Sequence, residues 1–361
     1  MVSALALAPA CSASPPLSPT GEPTTDLSVK PEAARLEPQG AALRPGTRGE
    51  LAVVYGGYGS AFSCLGRDQI VFCTRHGEAF GAKDGLVNVR IDVARGEVTV
   101  LGQAMLSESG NQLFDRGEVY AYYADALYRL PRTGARMEKV HSLPSVDWDA
   151  YAVHEGQVWL SVPTRVDGVD VWRFVGAKLG STELLPQRTV PRFASDGLMV
   201  AGGGRLEFVR RSDATLVRLA LNGQGATSVA VPGPFGRRDV VLLVEKDETF
   251  VLREHEDGEP LGWTLTAVGV DGSVRAVHQE LFERDAMQWA PHQIVGDTKN
   301  LYFIGGREQN DSPVRVMQLP KAGGAPSVVG TFEEGGTLWV DGDYLFVAGG
   351  AGGTIYRTPL R

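Results

Sequence analysis

A unit of about 45 residues recurs along this chain, and it constrains the fold more than any other feature. Segments 126–140 (ALYRLPRTGARMEKV) and 314–330 (VRVMQLPKAGGAPSVVG) share a strand, a proline, a basic residue, a glycine turn and a second strand. Segment 354–361 (TIYRTPLR) stops at the proline and the basic residue. Weaker copies lie at 87–102, 171–186, 216–231 and 265–277. Their turn glycines, Gly96, Gly134, Gly180, Gly225, Gly272 and Gly324, follow one another at about 38, 46, 45, 47 and 52 residues. Ahead of each copy lies a pair of strands joined by a tight turn, at 61–75, 112–125, 150–162, 197–211, 239–254, 292–306 and 336–350. Short apolar runs bounded by Asp, Asn and Gly are the signal of strands and hairpins.

Seven pairs, each followed by two strands, make seven four-stranded units, except that the last lacks its fourth strand. This predicts an all-β chain folded as a seven-bladed β-propeller, with six or eight blades as alternatives. The missing strand is expected from 50–57 (ELAVVYGG), which precedes the first hairpin and has no partner nearby. An open seam would leave two unpaired edges, and unpaired edges invite aggregation. The abundance of Gly (45) and Pro (21) suits short strands and tight turns. A pair of β-sandwiches is the competing architecture, but it does not predict a constant period.

Segments 297–306 (DTKNLYFIGG) and 341–350 (DGDYLFVAGG) resemble the repeats of YWTD-type and TolB-like propellers, in which an Asp turn precedes an aromatic strand. The Gly-Gly pairs at 305–306 and 349–350 are similar to those of kelch repeats. The resemblance covers roughly residues 50–361 and implies the architecture, usually with six blades in those families. It carries over no functional residue, since no copy reads Tyr-Trp-Thr-Asp.

The first sixteen residues, MVSALALAPACSASPP, resemble the end of a bacterial lipoprotein signal, with small residues ahead of Cys11 as the lipidated position. The alternative is an apolar N-terminus of a cytoplasmic protein. Residues 12–48 are rich in Ser, Pro, Thr, Ala and Glu and are expected to form a disordered tether, leaving 49–361 for the propeller. On this reading the protein is exported to the cell envelope and meets the membrane only through a lipid anchor. Cys64 and Cys73 are equidistant from Asp68-Gln69, so a hairpin centred there sets them opposite each other, and either a disulfide or two buried thiols fits. The formal net charge of -8 argues against nucleic acid as a partner. No apolar run reaches the roughly 18 residues that span a bilayer.

Binding on a propeller is expected where fourth strands lead into the next first strands. These segments, 143–149, 187–193, 232–238, 280–291 and 331–336, carry Trp148, Phe193, Phe235, Trp289 and the basic side chains Arg188, Arg192, Arg237, Arg238 and Arg284. Aromatic residues and Arg are enriched at protein interfaces, although the same residues also serve blade-to-blade contacts. The polar segments 75–84, 254–262 and 306–313 hold oxygen donors of the kind Ca²⁺ takes. There is no Asp-x-Asp-x-Asp loop and no His pair at ligand spacing, so no metal ligand is assigned, no cofactor is expected and Ca²⁺ alone stays open. The nucleophile-elbow, zincin and P-loop motifs are likewise not present in the sequence. The expected function is a non-catalytic binding or scaffolding propeller that recognises a protein or small ligand through one loop face. The alternative is a metal-dependent hydrolase or lyase with its site in the central channel.

Overall fold

The computed structural model describes residues 52–55, 61–77, 85–95, 97–104, 112–123, 126–142, 150–181, 183, 185–191, 200–210, 215–221, 225–231, 240–255, 261–282, 293–305, 314–332, 336–349 and 354–360. Among these residues lie 28 strands arranged as seven antiparallel four-stranded sheets, which is a seven-bladed β-propeller. Strand β1 (Ala52–Tyr55) comes first. Blade 1 is β2 (Ala61–Arg67), β3 (Ile70–His76), β4 (Leu86–Asp92) and β5 (Glu97–Ala104). Blade 2 is β6 (Gln112–Asp115), β7 (Glu118–Tyr123), β8 (Ala126–Leu130) and β9 (Glu138–Ser142). Blade 3 is β10 (Ala150–His154), β11 (Gln157–Val166), β12 (Val169–Lys178) and β13 (Arg188–Pro191). Blade 4 is β14 (Val200–Gly202), β15 (Arg205–Arg210), β16 (Thr215–Ala220) and β17 (Ala226–Ala230). Blade 5 is β18 (Val240–Val244), β19 (Glu248–His255), β20 (Leu261–Gly269) and β21 (Val274–Phe282). Blade 6 is β22 (Ile294–Gly296), β23 (Asn300–Gly305), β24 (Val314–Pro320) and β25 (Ser327–Phe332). Blade 7 is β26 (Gly336–Asp341), β27 (Tyr344–Gly349) and β28 (Thr354–Pro359), and β1 supplies its outer strand by pairing antiparallel with β28. The closing strand is therefore Ala52–Tyr55, the middle of the expected 50–57.

Period-two alternation sends successive residues of each strand to opposite neighbours. Among the described residues the core is accordingly seven separate apolar clusters, one in each gap between blades. Val71 and Cys73 pack with Trp339, Phe346 and Ile355 between blades 1 and 7. Phe72, one residue out of phase, packs with Val119 and Leu130 between blades 1 and 2. The largest aromatic set lies between blades 3 and 4, where Trp172 meets the ring of Phe208 edge-on at 4.9 Å.

The third residue of each second strand follows a rule. It is Phe72, Tyr120, Trp159, Phe250, Tyr302 or Phe346, and in blade 4 it is Glu207. The residue directly opposite on the third strand is Arg90, Arg129, Arg218 or Arg357 in four blades. Opposite Trp159 it is Gly176, where an added Cβ would lie 2.7 Å from the indole. Glycine is therefore required there by the ring that lies on it.

Turn chemistry agrees with the repeat. Gly134, Gly180, Gly225, Gly272 and Gly324 all have positive φ. Asp68 and Gln69 are both left-handed (φ 52° and 63°), as a two-residue hairpin turn demands. That turn sets Cys64 opposite Cys73, and a disulfide joins them with Cα atoms 4.2 Å apart. One expectation is corrected. The outer strand of blade 3 is not the 181–186 half of its repeat but Arg188–Pro191, which places Arg188 in a strand rather than a loop. The reason is local: Leu185 donates its N–H to Gly176 O and packs among the blade 3–4 aromatics, and the ladder with β12 is made by Thr189 and Val190 opposite Arg173 and Trp172.

Candidate functional site

The turns joining first to second and third to fourth strands share one end of the ring, and there the blades are tied to one another. The Asp115 carboxylate accepts the backbone N–H groups of Glu155 and Gly156 at 2.8 Å each, joining blade 2 to blade 3. His154 Nε2 accepts the N–H of Gly204 at 2.8 Å, joining blade 3 to blade 4. Arg205 donates to the carbonyls of Glu245 and Lys246 in blade 5 at 2.8 and 2.9 Å. Lys321 of blade 6 donates to both oxygens of Glu245 at 2.6 and 2.5 Å. Between blades 6 and 7 the tie lies further from the turns: Gln293, just before β22, exchanges two hydrogen bonds with the backbone of Leu338 within β26. Asp341 closes the circle by accepting N–H groups of Asp68 and Gln69 in blade 1; burial outweighs these bonds and pushes its carboxyl up from the usual range. Arg90 reaches from blade 1 to the carbonyls of Pro131 and Gly134 in blade 2 at 3.0 and 2.7 Å. Every gap thus carries at least one polar tie.

The gap between blades 4 and 5 holds a buried polar group of its own. Glu207 is fully buried and is met by Arg205 at 2.7 Å, Arg218 at 3.1 Å and the Thr249 hydroxyl at 2.6 Å. Arg218 also donates to the carbonyls of Val268 and Gly269 at 2.8 and 2.7 Å; burial pulls its guanidinium down from the usual range. A carboxylate taken out of water needs this many donors to be tolerated. Here they lock two blades together.

A cleft of about 560 Å³ opens between the turns of blades 5 and 6, lined by Glu245, Asp247, Val270, Asp271, Thr298 and Lys321 among others. Three of its carboxylates are already engaged: Glu245 with Lys321, Glu248 with Arg275, and Asp271 with the hydroxyl and N–H of Ser273. Those Ser273 bonds hold the Asp271 carboxyl below its ordinary range. These engaged carboxylates stand beside one exposed valine, Val270.

The first-strand starts and fourth-strand ends lie at the opposite end of the ring. The strand ends that flank 143–149, 192–199, 232–239 and 283–292 all lie there, because the strands alternate in direction within each blade. Trp148, Arg192, Phe193, Phe235, Arg237, Arg238, Arg284 and Trp289 lie outside the described residues, as do Cys11 and the tether. Of Arg188 only the backbone is described, within β13. Among the described strands, those of the blade 3 hairpin are the longest that run to this end. Its β11 and β12 are ten residues each, and their paired tip residues Val166 and Val169 are 46% and 56% exposed. Sequence reasoning missed this pair, although Asp167-Gly168 between two valines is a legible hairpin turn. It also missed Glu207, whose signal is an acidic residue at the aromatic position of the repeat.

No protein-family model and no curated protein matches the chain. Solved structures do. U3-55K is similar at 11% identity with a TM-score of 0.55, over 87% of this chain and 100% of that one. The WD40 repeats of RRP9 are similar at 11% identity and TM-score 0.55, over 88% and 100%. YCF48 from Cyanidioschyzon merolae is similar at 10% identity and TM-score 0.52, over 86% and 98%. At such identities the likeness is one of fold.

Proposed function

We propose that the ring is a non-catalytic binding or scaffolding propeller that holds a protein partner or small ligand at the end from which the longer connections arise. The observation that supports this is a division of labour between the two ends. At the tight-turn end, polar side chains from Asp115 and His154 round to Asp341 are spent on blade-to-blade bonds, and others, such as Asp297, on their own turns. The strand ends of the other end frame the segments that carry Trp148, Phe235, Arg237, Arg238, Arg284 and Trp289. A rigid ring that presents aromatic and Arg side chains on loops is suited to recognition. On the same reading Cys11 is the lipidated residue of an exported protein, residues 12–48 are its tether, and the partner is met at the cell envelope.

The test is cross-linking and capture from membrane extracts with the full chain and with a double variant, Arg237→Glu and Arg238→Glu. The variant is expected to keep its melting temperature and to lose the captured species. Equal capture by both would remove this end from consideration. Substituting Cys11→Ser is expected to move the protein from the membrane to the soluble fraction; an unchanged distribution would remove the anchor.

A further inference from the structure

The outer strands of the seven blades form the rim of the ring, and among the described residues none pairs with a second strand on its outer edge. Exposed edges are normally blunted by bulges, charges or proline, because a regular edge accepts another strand. Five of the seven rim strands carry a bulge with one extra residue. In β5 the extra residue is Leu101, in β9 Val140, in β21 Val277, in β25 Val329, and in β1 Val54. Leu101, Val277 and Val329 turn this extra side chain into the core, with 4%, 4% and 8% exposure. The sixth, β13, is four residues long, begins with Arg188 and ends in Pro191, which has no N–H to offer.

The seventh, β17, has none of these devices. Its sequence is Ala-Thr-Ser-Val-Ala, without charge or proline. Its five pairs with β16 run from Leu219↔Ala226 to Thr215↔Ala230 without a register shift. Ala226, Thr227, Ser228 and Ala230 are exposed, and among the described residues no strand other than β16 pairs with β17.

We infer that β17 is a docking edge at which an extended peptide segment of a partner protein adds as a fifth strand to blade 4. Main-chain hydrogen bonds along the edge supply the attraction, and the small side chains let the incoming backbone approach. The segment it fits is uncharged and rich in Thr, Ser and Val, since β17 offers hydroxyl and methyl groups for cross-strand pairing and no counter-ion. A second copy of this chain is a poorer occupant. Two convex rims meeting along five residues bury far less than the roughly 1,000 Å² a stable pair needs. This contact lies on the rim and is independent of the loop end, so the Arg237→Glu, Arg238→Glu variant leaves it intact.

The probe is a fluorescein-labelled peptide, Lys-Thr-Val-Ser-Val-Thr-Lys, titrated with the intact protein and followed by anisotropy. Two further peptides carry N-methyl groups on the Thr and Ser residues or on the Val residues, so that one blocks the edge facing β17 and the other does not. Saturable binding is expected, with one methylated peptide weakened at least about tenfold and the other not, and with Ser228→Pro weakening the parent peptide similarly. Thr227→Lys, at an exposed position that disturbs no core contact, is expected to weaken binding while the melting temperature stays unchanged. Absence of saturable binding up to about 1 mM, or equal binding of all three peptides, overturns the assignment. So does a concentration-dependent dimer that Thr227→Lys dissociates, because the occupant is then a second copy.

Discussion

Glu207 stands where the other six blades place an aromatic ring, and the substitution changes what its cross-strand arginine does. In blade 7, Arg357 faces Phe346 across the strands and lies over the ring of Tyr344, two residues before it, at 4.7 Å; in blade 4, Arg218 forms an ion pair with Glu207 itself. Removing the carboxylate leaves two guanidinium groups facing a cavity. Glu207→Ala is expected to cost about 3–5 kcal/mol, measured by urea denaturation, because an unpaired buried charge remains. Glu207→Tyr, which restores the aromatic the repeat uses elsewhere, is expected to cost clearly less, since a ring face attracts a guanidinium. Equal losses would mean that Glu207 contributes volume and not charge. Glycines make a second comparison. A Cβ on Gly202 would fall 2.0 Å from the carbonyl oxygen of Val244, whereas one on Gly176 would meet only the side chain of Trp159. Backbone yields less than a side chain. Gly202→Ala is therefore expected to destabilise more than Gly176→Ala, for which about 1–3 kcal/mol of overpacking is reasonable. Thermal melts of the two variants decide it.

At the level of elements, the turns and the rim strands obey different rules. The turn at Asp297 joins β22 to β23 through its carboxylate, which accepts N–H groups of Lys299 and Asn300 at 2.7 Å and the Tyr302 hydroxyl at 2.8 Å. Burial alone would raise this carboxyl, but the three hydrogen bonds outweigh it and hold it below the ordinary carboxylate range. The folded state thus binds this proton less readily than the unfolded chain, whose Asp titrates near about 3.9. Its contribution is complete above about pH 4 and is lost as pH falls through the lower folded value. Asp297→Asn is expected to lower stability at pH 7, and the gap from the parent protein should narrow in denaturation curves taken below pH 4. A constant gap would show that the turn bonds do not depend on the charge. These turns were readable in the sequence because Asp, Asn and Gly are required by local backbone geometry. The rim bulges were not, because Leu101, Val277 and Val329 look like ordinary strand residues. Their extra step shows only in the pairing with the neighbouring strand.

For the molecule as a whole, closure rests on β1. Its pairing with β28 covers the edge of blade 7, and Asp341 and the cluster of Trp339, Phe346 and Ile355 then bind blade 7 to blade 1. A chain truncated to begin at Gly57 is expected to melt about 5–10 °C lower and to associate with increasing concentration, as an exposed edge finds a partner. Light scattering and thermal melts check both. An unchanged melt and a monomer at all concentrations would mean that closure depends on the blade 7–1 contacts and not on the strand. Because each apolar cluster spans a single gap, damage in one gap is expected to remain local until the ring opens.

The sequence by itself determined the strands, the tight turns, the repeat and the source of the closing strand, because these depend on interactions within a few residues or on a period that survives divergence. It pointed to Cys64 facing Cys73 for the same reason: both count outward from one turn. What only the tertiary structure decided is how the blades meet. Glu207 reaching Thr249, Asp115 capping the turn of the next blade, Arg188 lying within β13 and β17 remaining regular among bulged neighbours are all set by partners from 7 to 42 residues away. A linear pattern records that a residue is polar or small. It does not record which neighbour's carbonyl, carboxylate or ring that residue will face once the ring has closed.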